Sequence, residues 1–89
     1  MDRVWIVTTK LEYGPGEFIE GVFDSYKLAH MAAEDIWRRY NPDEDGYLWK
    51  HMEFNEKDSC KMTIYYTDKK TFDEWHFATI KIEPYHVWH

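Results

Sequence analysis

The sequence predicts a small α+β domain in which one helix packs on a mainly antiparallel sheet, in the element order ββαβββ. Three observations carry this. Runs of β-branched and aromatic residues are separated by short polar or glycine-rich turns. A single stretch holds a helical apolar stripe. The later strands follow one another across connections too short for a crossover helix. At 89 residues the chain makes one domain spanning positions 1–89, with a thin core for its size.

Val4 to Thr9 is β-branched or aromatic throughout and reads as a strand. Val4, Ile6 and Thr8 share one face, and Trp5, Val7 and Thr9 the other. Both are apolar, so the strand is expected to be covered on both sides or to offer its second face to a partner. Tyr13-Gly14-Pro15-Gly16 reads as a turn. A second strand follows from Glu17 to Phe23, where Gly21 signals a bulge or a close backbone approach.

Asp24-Ser25 is suited to cap a helix start. Ala29, Ala32, Ala33, Ile36, Trp37 and Tyr40 then form one helical stripe. Lys27, His30, Glu34, Asp35, Arg38 and Arg39 are expected on the outer face. Asn41-Pro42 is expected to stop the helix. Strands are expected over Tyr47 to Phe54, Lys61 to Thr67 and Glu74 to Glu83, with Pro84 ending the last. In the fourth strand Met62, Ile64 and Tyr66 alternate with Lys61, Thr63 and Tyr65. In the fifth, strict alternation groups His76 with Ala78, Ile80 and Ile82, opposite Trp75, Phe77, Thr79 and Lys81. The aromatic tail from Glu83 to His89 is expected to fold back on the body or enter a partner.

Seventeen acidic against eleven basic residues leave a net charge of −6. That balance argues against direct nucleic-acid binding, where Lys and Arg neutralise phosphates. It suits a basic partner. Five tryptophans and seven tyrosines help to bring aromatic content to 19%, more than a small core holds. Cys60 is the sole cysteine, which excludes an intramolecular disulfide and a cysteine-rich zinc site. The opening Met1-Asp2-Arg3-Val4 lacks the apolar run of a signal peptide, and no segment approaches the ~20 apolar residues of a membrane helix. A cytoplasmic location and no membrane partner are therefore expected.

Catalytic and metal-binding patterns are weak. His51 and Glu53 share a strand face, and His86 and His89 lie three apart, but neither pair makes a ligand set. The zinc deaminases pair their His-x-Glu element with a Pro-Cys-x-x-Cys element, for which one cysteine does not suffice. Cys60 stands beside Lys61 with no base implied, while Ser25 and Ser59 fall at a cap and a turn. Tyr13-Gly14-Pro15-Gly16 lacks the lysine and the following helix of a P-loop. No catalytic residue, metal site or cofactor is expected.

Two features point to protein contact. Glu34, Asp35, Asp43, Glu44 and Asp45 form an acidic set at the helix end and the loop after it, able to steer a basic partner. Trp49, Trp75, Tyr85 and Trp88 belong to the residue types enriched at binding hot spots.

The opening Val4-Trp5-Ile6-Val7-Thr8, then Gly21-Val22-Phe23-Asp24-Ser25 and a helix through Ala29, Ala32 and Ala33, resembles a loose group of small uncharacterised bacteriophage and bacterial proteins. The likeness covers roughly the first forty residues. It implies a ββα start and a phage origin, and it carries no catalytic residue over. The expected function is a non-catalytic accessory protein that inhibits a host defence or nucleic-acid enzyme through its acidic and aromatic surface. One alternative is a small-ligand binder that sandwiches a nucleotide-like molecule with Trp49, Trp75, Arg38 and Arg39. Another is a self-associating structural protein, and a homodimer is compatible with each.

Overall fold

The computed structural model describes residues 3–41, 44–55 and 58–87. The elements follow the expected order: β1 (Arg3–Leu11), β2 (Glu17–Phe23), α1 (Tyr26–Arg39), β3 (Gly46–Asn55), β4 (Ser59–Asp68) and β5 (Glu74–His86). All pairings are antiparallel, and the strands lie in the order β2-β1-β5-β4-β3. The first and last strands therefore pair near the middle of the sheet and weld an N-terminal hairpin to a C-terminal meander.

The helix begins where Ser25 Oγ accepts the Leu28 N–H at 3.2 Å, satisfying one of the orphan donors of the first turn. It ends at Arg39, with Tyr40 as C-cap, and Arg38 and Arg39 complement the negative end of the helix dipole. Pro42 lies outside the described residues. Ala29, Ala33 and Ile36 are buried, and the small alanines let the helix lie close to the sheet. Beneath them sit Trp5 and Val7 of β1, Cys60, Met62 and Ile64 of β4, and Ala78, Ile80 and Ile82 of β5. Phe23, Tyr26, Trp37, Tyr40, Leu48, Met52 and Phe77 pack around this cluster. A helix–strand tie completes the layer: Lys50 Nζ donates to the Glu34 carboxylate at 2.7 and 2.8 Å and lies 5.4 Å from the Trp37 ring centroid.

Two bulges modify the simple alternation. In β2, Val7 pairs with Gly21 and Thr8 with Ile19, so Glu20 is the extra residue. Its carboxylate accepts the Thr9 hydroxyl at 2.6 Å. A side chain at Gly21 would collide with the Phe23 ring, so the bulge and the close approach coincide there. In β5, Ile64 pairs with Ala78 and Tyr65 with His76, which leaves Phe77 as the extra residue. Phe77 and Ala78 both face the helix, with the Phe77 ring set edge-on to Tyr40 at 5.6 Å. His76 is thereby turned to the opposite face, correcting the strict alternation that groups it with Ala78. Re-aiming one side chain is a usual consequence of a bulge.

The last strand also passes through Pro84 and continues to His86, contrary to the expected stop. The pairing of β5 with β4 ends at Ile82, while its pairing with β1 runs on through Pro84 to His86. Proline thus sits where the strand has become an edge, a position that tolerates a missing N–H. Tyr85 and His86 of the aromatic tail belong to the sheet, and Trp88 lies outside the described residues.

The turn between β4 and β5 is built on Asp68. Its Oδ1 accepts the backbone N–H groups of Thr71 and Lys70 at 3.0 and 2.8 Å, and Phe72 closes the turn in a left-handed conformation at φ 60°. The molecule measures 54 × 26 × 18 Å, with a radius of gyration of 14.5 Å. A closely packed chain of this length would give about 12 Å.

Two predictions follow from this packing. Ile64→Ala opens a cavity beneath the helix and should cost about 2–5 kcal/mol by denaturant unfolding, whereas Thr63→Ala on the other face should stay within about 0.5 kcal/mol. For the Asp68 turn, the two backbone donors, Thr71 first and Lys70 second, hold the carboxyl below its usual range. A depressed folded value adds stability above the unfolded value of about 4, and that contribution is lost as pH falls through the folded value. The difference in Tm between wild type and Asp68→Asn should therefore be present at pH 7 and shrink below about pH 4.

Candidate functional site

Because α1 covers one side of the sheet, the opposite side has no cover among the described residues. Antiparallel pairing sets its side chains in rows across the strands, about 7 Å apart. The first row is His76, Tyr65 and Trp49, running across β5, β4 and β3. Trp49 stacks on Tyr65 with centroids 4.6 Å apart, and Tyr65 lies 6.1 Å from the His76 ring. The Trp49 indole N–H donates to Thr67 Oγ1 at 2.9 Å, fixing the ring's tilt. The next row holds Lys10, Thr79, Thr63 and His51, and the one after it Thr8, Lys81, Lys61 and Glu53. Ile19, at the β2 end of that last row, joins Val4, Ile6, Val22 and Tyr85 beyond it in an apolar corner across β2, β1 and β5.

A groove of about 210 Å³ crosses the middle of this face. Thr8, Thr79, Lys10, Lys61, Lys81 and His76 line it, together with Glu12 and Glu17. His76 Nδ1 meets Glu12 at 2.5 Å, and its Nε2 meets the Ala78 carbonyl at 3.0 Å and Thr79 Oγ1 at 2.9 Å. Lys81 Nζ donates to Glu17 at 3.4 Å. A second hollow, of about 330 Å³ and mostly apolar, lies at the end of the sheet between Leu11, Tyr13, Trp75 and Phe77.

The sequence-predicted contact residues are distributed over several surfaces. Glu34 turns towards Lys50 and the sheet, so it does not belong to an outward acidic face. Asp35 is exposed and pairs with Arg38 at 3.2 Å. Glu44 and Asp45 are exposed beyond the helix end, and Asp43 lies outside the described residues. Trp49 is on the open face, whereas Trp75 lies tilted against Tyr66, with centroids 4.7 Å apart, on the helix side. Tyr85 shares the open face with Trp49 but stands nine positions along β5 from His76, about 30 Å away. Arg38 and Arg39 are exposed on the helix, so Trp49, Trp75 and these arginines do not converge on one ligand.

The residues that do converge are Lys10, Lys61, Lys81, His76 and the two threonines. Lysine spacing on the wet faces of the strands hinted at this, but the register that sets Lys61 opposite Lys81 is a tertiary fact. Among the described residues, no three His, Cys, Asp or Glu side chains come together as a metal site. No helix is long and apolar enough to cross a membrane. The chain matches no family model, no curated protein and no solved structure.

Cys60 is 3% exposed beneath the helix, and burial pushes its thiol above the ordinary value, partly offset by a hydrogen bond with Tyr26. Reaction with a thiol reagent at pH 8 should accordingly be slow in the folded protein and rise to the rate of a free thiol in denaturant. Equal rates in both conditions would show that the thiol is accessible.

Proposed function

We propose that this chain is a binding protein, without catalytic chemistry of its own, that docks on a partner protein through the apolar corner of its open face. In keeping with the phage-like opening, the partner is a host protein. The observation that carries this reading is the corner itself. Ile19 is 70% and Val22 58% exposed, Tyr85 is exposed beside them, and Val4 and Ile6 lie half-buried between. Full burial of one such aliphatic side chain is worth about 1.5–3 kcal/mol, so a contiguous group left in water is a standing drive for association.

Charge narrows the choice of partner. Glu83 stands beside Ile6 within the corner, Glu17 lies two positions from Ile19 on the same face of β2, and the chain as a whole is acidic. A complementary surface presents an apolar centre ringed by basic side chains. The exposed acidic residues Asp35, Glu44 and Asp45 act on this partner at longer range, by steering rather than by contact.

The test pairs wild type with the double variant Ile19→Lys and Val22→Lys, whose exposed positions should leave Tm nearly unchanged. Wild type should retain a single stoichiometric protein from bacterial lysate and bind it again once purified, with affinity at least tenfold lower for the variant. Undiminished binding by the variant would overturn the proposal. A wild-type dimer in size-exclusion chromatography that the variant breaks would also overturn it, assigning the corner to a second copy of the chain.

A further inference from the structure

We propose that the lysine-lined groove in the middle of the open face binds the phosphate groups of a small phosphorylated molecule. The first ground is the arrangement of cations. Lys61 and Lys81 are directly paired across β4 and β5, where side chains lie about 5 Å apart and like charges oppose one another. Lys10 stands on the same groove, across β1 from β5. Three lysines thus border one groove, together with Glu12 and Glu17, in a chain whose net charge is −6.

The second ground is how the nearby carboxylates are used. Glu17 is held by Lys81 at 3.4 Å and Glu12 by His76 at 2.5 Å. Glu53, the cross-strand neighbour of Lys61, lies 3.8 Å from His51. Among the described residues Lys10, although opposite Glu17, and Lys61, although opposite Glu53, make no ion pair. An anion in the groove would supply one and relieve the repulsion between Lys61 and Lys81.

The third ground is donor chemistry. The Thr8 and Thr79 side chains lie on the groove beside the lysines, and ammonium and hydroxyl donors together match the several acceptor oxygens of a phosphate. His76, put there by the β5 bulge and held by Glu12, Ala78 and Thr79, borders the groove on the side of the Tyr65 and Trp49 rings. Those rings are suited to contact an aromatic group attached to the phosphate. The groove adjoins the apolar corner, since Thr8 on the groove lies opposite Ile19, but it does not depend on that corner's contacting a protein.

The experiment titrates the full chain, at low salt, with inorganic pyrophosphate, with ATP and with a short single-stranded oligonucleotide, following heat and Tm. Pyrophosphate and ATP should bind saturably, and both affinities should fall at least tenfold in Lys10→Gln with Lys61→Gln. Lys27→Gln and Lys69→Gln, away from the groove, should bind as wild type does. Without ligand, Lys61→Gln should melt no lower than wild type because it removes the repulsion with Lys81; a lysine with a purely structural role would show the reverse. Tighter binding of ATP than of pyrophosphate would assign a nucleotide. Equal binding would assign recognition of the phosphates alone. The proposal is overturned if neither small anion binds at millimolar concentration, if the groove variants bind undiminished, or if only the oligonucleotide binds.

Discussion

One helix has to cover a sheet too large for it. The helix has 14 residues and is about 21 Å long, while the 13-residue β5 runs about 43 Å. Burial therefore concentrates where the helix packs on β1, β2 and β5, with the inward side chains of β4 beside them. There the sequence supplies Val7, Met62, Ile64, Ile80 and Ile82, all nearly inaccessible to water. Everything outside that footprint has to be stable with one side wet, and this requirement explains the composition of the other rows. Threonines, lysines and tyrosines tolerate a half-exposed strand because each joins an apolar stem or ring to a polar end.

The same constraint governs the edges. The short edge strand β2 is interrupted by its Glu20 bulge and carries Glu17 and Glu20, features that discourage pairing with another sheet. The opposite edge, β3, is regular over ten residues and relies on Lys50, His51 and Glu53 for the same protection. Lys50 also anchors the helix through Glu34, so one residue both guards the edge and holds the covering layer in place. The open face thus owes its accessibility to there being one helix among the described residues, and charges separate its aromatic row from its apolar corner.

Much of the fold was legible from residue patterns. The strand runs, the alanine-led helical stripe and the turn residues at Gly14 and Gly16 are local signals, and each element appears near its expected position. Gly21 signalled its bulge because glycine in a strand is otherwise unfavourable. The bulge at Phe77 had no such signal, since neither Phe77 nor its neighbours depart from ordinary strand composition. For that reason strict alternation groups His76 with Ala78, whereas the bulge turns it to the opposite face. The candidate site was less legible than the fold. Residue type singled out the aromatics and the acidic run, whereas the groove is made of ordinary lysines and threonines given significance by their neighbours.

The sequence by itself determined the number, kind and order of the elements, the inward faces of β4 and the helix, and the isolation of Cys60. These follow from periodicity and from backbone preferences carried by each residue with its near neighbours in the chain. The tertiary structure alone decided that β1 and β5 pair at the centre, that β5 continues through Pro84, and that Lys61 stands opposite Lys81. It also decided that Glu34 faces Lys50 and that Trp49 and Trp75 lie on opposite sides of the sheet. Those outcomes depend on register between segments distant in sequence. A shift of one residue exchanges the two faces of a strand, and no local pattern fixes it.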